Sequence, residues 1–313
     1  MKIAFVGKGG SGKSTITSLF IKHLVDKKNT VLVIDADINM HMAGLLGITP
    51  KPNLAISEYG NPIKIRKVLL GNNKRVESIR CIVKTTPPAT GSYLVAIEAE
   101  DKVLQNFSTS FAEKSHFMTV GTYNEEEIGT ACYHTNLSIL ENVLSHTMEK
   151  ADEWVVVDMV AGTDAFSGSL HIQFDAIFLI VEPTPESTSV FTQYKKLATK
   201  AGMFDRVFVV GNKIQDEADL EYLKEIVGDK LVGYIPVLTT LKRARQQNRP
   251  VDLSDIADRT IFAGVEEIAK NNLRSAQSRL QSLYDLHKKH IQEEWIVKTL
   301  GDLQDQIDPL FRP

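Results

Sequence analysis

Short, continuous runs of apolar residues recur along the chain, separated by segments long enough for a helix. KIAFV at 2–6, TVLVIDAD at 30–37, WVVVDMVAG at 154–162, AIFLIVEPT at 176–184, RVFVVGNK at 206–213 and KLVGYIPV at 230–237 each read as a strand. Their Val, Ile and Leu positions are consecutive rather than alternating, as in strands buried on both faces. They therefore predict an α/β fold, a mostly parallel, doubly wound sheet with helices on each side. Residues 14–26 predict a helix opening just after the first strand. Polar side chains gather at the C-terminal ends of these runs, where open α/β sheets bind ligands.

Two regions are less regular. YLVAIEAE at 93–100 and HFMTVGT at 116–122 read as further strands, and 61–80 carries Lys and Arg around Gly71-Asn72-Asn73, read as an exposed turn. From about 254, Ile268, Leu273, Ala276, Leu280, Leu283, His287, Ile291 and Trp295 recur at three- to five-residue spacing between charges, which predicts a tail of one or two helices. The division expected is a domain over 1–253 and a helical C-terminal extension over 254–313.

With 43% apolar residues in 313, the chain can bury a large core. Its net charge of -3 provides no overall field toward nucleic acid or membrane. No apolar run approaches the roughly 20 residues that span a bilayer, and Ile3 to Val6 is too short for a secretion signal, so a cytoplasmic location is expected. Two cysteines, Cys81 and Cys132, exclude a disulfide framework.

The most specific chemistry lies at Gly7-Lys8-Gly9-Gly10-Ser11-Gly12-Lys13-Ser14-Thr15, which fits G-x-x-x-x-G-K-[ST] between a strand and a helix. Glycines let backbone N–H groups converge on phosphate oxygens, and the helix N-terminus adds its dipole. Lys13 is expected on the β- and γ-phosphates of ATP and Ser14 on Mg²⁺. Asp158 ends a strand and begins Asp-x-x-x-Gly; it suits the Mg²⁺ shell, with Asp35 as a further acid, and Gly162 can place an N–H near the γ-phosphate. Asp37 is the candidate to orient or deprotonate the attacking water. Asp35 and Asp37 also suit plain strand-end capping. Asn212, followed by Lys213, can bond the edge of an adenine ring.

Lys8 is a second lysine that a single phosphate loop does not need. With the elements downstream, Lys-Gly-Gly-x-Gly-Lys-Ser-Thr resembles the deviant Walker A P-loop ATPases, which include the septum-positioning (MinD) and partition (ParA) ATPases, the arsenite pump ATPase and the nitrogenase iron protein. The resemblance implies a P-loop NTPase fold and a homodimer sandwiching ATP, with Lys8 reaching the other subunit's nucleotide. GTACYHTNLSILENVL at 129–144, EWVVVDMVAG at 153–162, VFVVGNKI at 207–214 and VGYIPV at 232–237 look like the carbon monoxide dehydrogenase maturation ATPases, the CooC type, over about residues 1–250. That implies a switch that hydrolyses ATP to ADP and phosphate, a metallochaperone-like role in nickel insertion, and a client metalloenzyme.

The chain departs from that subfamily in the middle segment. Where the maturation ATPases carry Cys-x-Cys, this chain has Cys132-Tyr133-His134. Two subunits would offer Cys₂His₂, a tetrahedral set for Zn²⁺ or Ni²⁺; a thiol and an exposed imidazole without metal is the alternative. Thr163-Asp164-Ala165-Phe166 also lacks the basic residue expected after the glycine. The alternative function is a positioning ATPase that binds DNA, membrane or cargo. In LKRARQQNR, Lys242, Arg245 and Arg249 would share one helix face suited to phosphates, with Arg243 beside them. The final helix near EEWIVKTLGDLQDQI is acidic enough to be repelled by anionic lipid, which favours core packing or a protein contact. Nucleic acid and membrane are not the expected partners.

Overall fold

A computed structural model of the protein describes residues 1–123 and 133–313, apart from the side chains of Tyr133 and His134. Eight strands form a single sheet: β1 Lys2–Gly7, β2 Thr30–Ala36, β3 Thr109–Ala112, β4 Ser115–Thr119, β5 Glu153–Met159, β6 Ala176–Val181, β7 Val207–Ile214 and β8 Leu231–Pro236. Their spatial order is β3-β4-β2-β5-β1-β6-β7-β8, parallel throughout except that β3 runs antiparallel to β4 at the edge.

The consecutive apolar runs divide between two cores. Ala4, Val6, Leu32, Ile34, Val155 and Val157 pack on one face with the helices Tyr133–His146 and Pro185–Lys200. Ile3, Phe5, Val31, Val33, Trp154 and Val156 pack on the other with Lys13–Asp26 and Thr260–Asn271. Period-two alternation thus survives inside each run, and both sets are apolar because both faces are covered.

Two local expectations are corrected. Residues 93–100 form no strand; among the described residues their one ladder contact is the isolated bridge Val95–Thr147. Asp101 explains this, because its side chain accepts from Ala96 N and Tyr93 Oη while also capping the helix Lys102–Phe107. Val95 and Ile97 are buried, but of the two only Val95 bonds backbone to backbone among the described residues, with His146 and Met148, and the next N–H, that of Ala96, goes to the Asp101 side chain instead of a neighbouring strand. Nor is the turn at 71–73 wholly exposed. Asn73 is buried, its amide donates to Ser92 Oγ, and Gly71 and Gly91 pass so closely that a Cβ on Gly71 would stand 2.6 Å from the Gly91 oxygen.

Beyond residue 254 the chain folds into three helices, Thr260–Asn271, Ala276–His290 and Glu294–Leu300. The first covers the sheet through Ile261, Phe262, Val265 and Ala269. The later segment wraps over residues 75–93: Thr85 Oγ1 lies 2.9 Å from His287 Nδ1, Arg75 pairs with Asp308, and Ile291, Ile296 and Leu303 pack on Val83. The final helix stops at Gly301, so the apolar positions of 295–307 do not form one stripe: Ile296 and Leu303 are buried, while Trp295 is 54% exposed. Among the described residues no helix is long and apolar enough to cross a membrane.

Candidate functional site

β1 ends at Gly7, and the following loop turns into the helix Lys13–Asp26 with Gly12 at φ 91°, a left-handed conformation that L side chains rarely adopt. Gly7 is pinned between layers; a Cβ there would lie 2.8 Å from both Ile180 O and Ser11 Oγ. Ser11 N donates to Lys8 O at 3.1 Å and closes the loop. Gly9 and Gly10 are exposed, Ser11 and Thr15 are buried, and Lys8 and Ser14 are half-buried.

Strand register brings the acids to this loop. Phe5 of β1 pairs with Asp158 of β5, which pairs in turn with Asp35 of β2. Lys13 Nζ donates to Asp158 Oδ1 at 2.7 Å and to Asp37 Oδ2 at 3.2 Å, all three side chains being largely or wholly buried. Burial opposes the charge on Lys13, but the two carboxylates outweigh it and hold the ammonium above its ordinary pKa. Burial likewise opposes the charge on Asp37, and Lys13 with the Asn39 donors reverses it, leaving the carboxyl below its usual range. Asp158 is raised by burial, against the pull of Lys13 and of the nearby Ser14 hydroxyl. Asp35 is raised by burial and then by the charge of Asp158; its two oxygens accept from Asp37 N and Met42 N. One ammonium thus serves three clustered carboxyl groups. Asp158 Oδ2 and Ser11 Oγ are buried without hydrogen-bond partners among the described residues.

Gly162, at φ 93°, donates its N–H to Gly7 O at 3.1 Å, so the turn after β5 lies against the phosphate loop. On the other side Asn212 Nδ2 donates to Ser11 O at 2.6 Å, and Lys213 Nζ donates to Gly10 O at 2.9 Å while pairing with Glu182. Between them opens a cavity of about 360 Å³, lined by Gly12, Thr15, Asn212, Pro236, Leu241 and Arg245 among others. It lies where the loop, β7 and the turn after β8 meet, and its walls offer apolar surface beside one side-chain amide, as a nucleobase requires.

Sequence reading missed three contributors. Thr17 donates to Lys13 O and lies 3.4 Å from Asp158 Oδ1; its position four residues after Lys13 on one helix face was the available signal. Glu182 holds Lys213. Arg245, read as part of a surface face, donates Nη1–H to Thr15 Oγ1 at 3.1 Å. The proposed basic face is not formed: the helix Thr239–Gln246 ends before Arg249, which pairs with Asp255. Cys132 lies outside the described residues, as does the side chain of His134. Among the described residues no group of three or more His, Cys, Asp or Glu is arranged to hold a metal ion.

The model of the CobQ/CobB/MinD/ParA nucleotide-binding domain matches residues 3–251. The chain belongs to this family. It is a P-loop ATPase, with the loop, the acids and the cavity of a nucleotide site in one place. An uncharacterized ATP-binding protein of Methanocaldococcus jannaschii is 27% identical over 265 residues, which cover 83% of this chain and 95% of that protein. The carbon monoxide dehydrogenase accessory protein CooC of Rhodospirillum rubrum is 25% identical over 247 residues, 79% of this chain and 87% of its own. Among solved structures, a ParA family ATPase from Chlorobium tepidum superimposes with a TM-score of 0.54 at 15% identity, over 91% of this chain and 98% of that one. The septum site-determining protein MinD of Pyrococcus horikoshii, complexed with Mg-ADP, gives 0.51 at 16%, over 93% and 98%. These two establish the shared fold.

Proposed function

We propose that this ATPase is a cytoplasmic switch that dimerises around ATP, resets on hydrolysis, and serves the maturation of a client metalloenzyme. The observation that carries the dimer is Lys8. It sits half-buried at the phosphate loop, and its ammonium makes no ion pair or hydrogen bond among the described residues. A cation left unpartnered beside a polyphosphate site is available to a second subunit's nucleotide, where it would neutralise charge on the transferring phosphoryl group. The similarity to CooC supports the maturation role. The nucleotide switch is assigned to 1–253, with 254–313 as a helical extension.

Mg²⁺ fits the site: Asp158 Oδ2 is buried and without a hydrogen-bond partner among the described residues, and Ser14 is one of the groups that pull the Asp158 carboxyl toward its charged form. Ser14 and Asp158 would hold the ion, with Asp35 as the second acid behind them, and it would neutralise charge on the β- and γ-phosphates. Gly9, Gly10, Ser11 and Gly12 supply backbone donors to the phosphates, and Lys13 turns from its carboxylates to the β- and γ-oxygens. Thr15 follows at the first helical turn, Gly162 closes the γ-phosphate side, and Asn212 with Lys213 borders the base. Asp37, ionised and already holding the two Asn39 donors, orients the attacking water. Cys132 and His134 of two subunits form the proposed Zn²⁺ or Ni²⁺ set. The positioning alternative is weakened by Arg245 and Arg249, which are engaged within the chain.

Native mass spectrometry tests this reading, comparing wild type and Lys8→Ala with MgATP and with MgADP. Wild type should dimerise with ATP and carry one zinc or nickel ion per dimer, lost in Cys132→Ala. Lys8→Ala should bind ATP as a monomer and turn over slowly. Unchanged dimerisation and hydrolysis in Lys8→Ala would sink the trans role, and a metal-free wild-type dimer after zinc or nickel supply would sink the metal site.

A further inference from the structure

The basic segment at 241–249 leaves one cation with a distinctive position. The helix Thr239–Gln246 is anchored by buried Ala244 and by Leu241 against the core, which directs Arg245 across the mouth of the nucleotide cavity. Its guanidinium touches the phosphate-loop helix at Thr15, through one N–H donated to the hydroxyl. Its other N–H groups have no acceptor among the described residues, and no carboxylate pairs with it there. Lys213, which lines the same cavity, is committed to Glu182 and Gly10 O. Lys242 lines the same cavity one turn earlier, and its ammonium makes no hydrogen bond or ion pair among the described residues.

The order of groups along the site locates what Arg245 meets. Lys13 serves the β- and γ-phosphates, and the loop N–H groups cradle the α- and β-phosphates. The cavity beside Asn212 takes the base. Thr15 stands between the two, so a cation on its hydroxyl faces the junction of phosphate chain and sugar. A guanidinium is suited to a phosphate there because it can donate two parallel N–H bonds to two oxygens of one group.

Resting on the ATPase reading above, we propose that Arg245 binds the α-phosphate of the bound nucleotide and makes the site select nucleotides over nucleosides. The α-phosphate survives hydrolysis, so this contact holds ADP as well as ATP. Arg245 is therefore a residue of nucleotide retention, separate from the groups that act on the γ-phosphate.

Calorimetric titration with ADP, AMP and adenosine tests it on wild type, Arg245→Gln, Arg245→Lys and Thr15→Val. Removing a hydrogen bond to a charged group costs about tenfold or more in affinity. Arg245→Gln should weaken ADP and AMP by a similar factor of about tenfold or more, leave adenosine within about twofold, and be partly rescued in Arg245→Lys. Thr15→Val, which removes the hydroxyl that holds the arginine but keeps the charge, should lose less. If Arg245→Gln binds ADP and AMP as wild type does, the arginine is only a cap on Thr15 and the proposal fails. It fails equally if adenosine weakens in step with AMP, since the variant then damages the cavity rather than a phosphate contact. A wild-type chain that binds no adenine nucleotide overturns the ATPase reading itself, a result distinct from either.

Discussion

Lys13 Nζ lies 2.7 Å from Asp158 Oδ1, a contact between the phosphate-loop lysine and the acid that ends the neighbouring strand, with both side chains shut away from solvent. Without nucleotide, the ammonium is held by the acids rather than left in a dry site. On the proposed reading, polyphosphate draws Lys13 from Asp158 and Asp37, and nucleotide binding then frees those carboxylates for the ion and the water.

Lys13→Ala removes the cation common to all three acids and the donor to the transferring phosphate. ATP hydrolysis should fall by at least about a hundredfold, the scale for losing one preorganised donor at developing charge. Steady-state phosphate release measures it. Turnover within tenfold of wild type would remove Lys13 from the reaction.

Asp37→Asn should separate binding from turnover. The amide keeps size and can still accept from the Asn39 donors, but it loses the charge that orients water. Hydrolysis should drop about a hundredfold or more while ATP binding persists and the ATP-bound dimer accumulates. Phosphate release together with size-exclusion light scattering would show both. Loss of ATP binding would instead make Asp37 a structural partner of Lys13.

The parts of the site that were legible in the sequence are those whose chemistry is local. Gly7 to Ser14 announces itself because loop glycines, lysine and hydroxyl must be contiguous, and Asp158 because it terminates a fully apolar strand. Arg245 was not legible as part of this site, since charges at 242, 243, 245 and 249 read as one outward basic helix face, and only the crossing of its helix over Thr15 gives it a partner 230 residues away. The strand reading of 93–100 failed because burial of Val95 and Ile97 mimics a strand, while the decisive group, the Asp101 side chain, lies outside the run. Strand β3 was missed because it is short, partly exposed and at the sheet edge. The strap over 75–93 depends on pairs such as Thr85 with His287, which no local pattern encodes.

Arg279 ties the helix Ala276–His290 to the base of the sheet, pairing with Asp175 at 2.9 Å and with Glu149, which also meets Lys2. Arg279→Met keeps the stem but leaves two buried carboxylates short of a cation. It should cost about 3 kcal/mol of stability, toward the low end for breaking a buried pair because Lys2 and backbone donors remain. Urea unfolding measures the loss. The ATPase rate below the transition should stay near wild type, since this network lies at the opposite ends of the strands from the phosphate loop.

Two buried imidazoles should each draw stability down in mild acid. Burial lowers both His146 and His287 to about 4, from an ordinary value near 6.5. His146 Nδ1 lies 2.9 Å from Asn142 O, and His287 Nδ1 lies 2.9 Å from Thr85 Oγ1. As pH drops below about 6.5, the unfolded chain takes up protons that the folded chain refuses until about 4, so the folded state loses ground across that window. Each group should cost about 2 kcal/mol at pH 5 relative to neutral pH. His116 and His171, also lowered by burial, act in the same direction. Glu266 and Asp308, held near 2 in the folded state by bonds from Lys27 and from Thr90 respectively, add their losses mainly below pH 4.5. Asp35, raised by burial to about 8, and Asp158 and Glu141, also raised by burial, take up protons first in the folded chain and so oppose the histidines in this window. Urea midpoints at pH 7 and pH 5 test it, with His146→Asn and His287→Asn keeping a polar group near each Nδ1 position. Each variant should lower stability at pH 7 yet lose less, or gain more, between pH 7 and pH 5 than wild type does. An equal change in wild type and both variants would mean that neither imidazole contributes to the acid response.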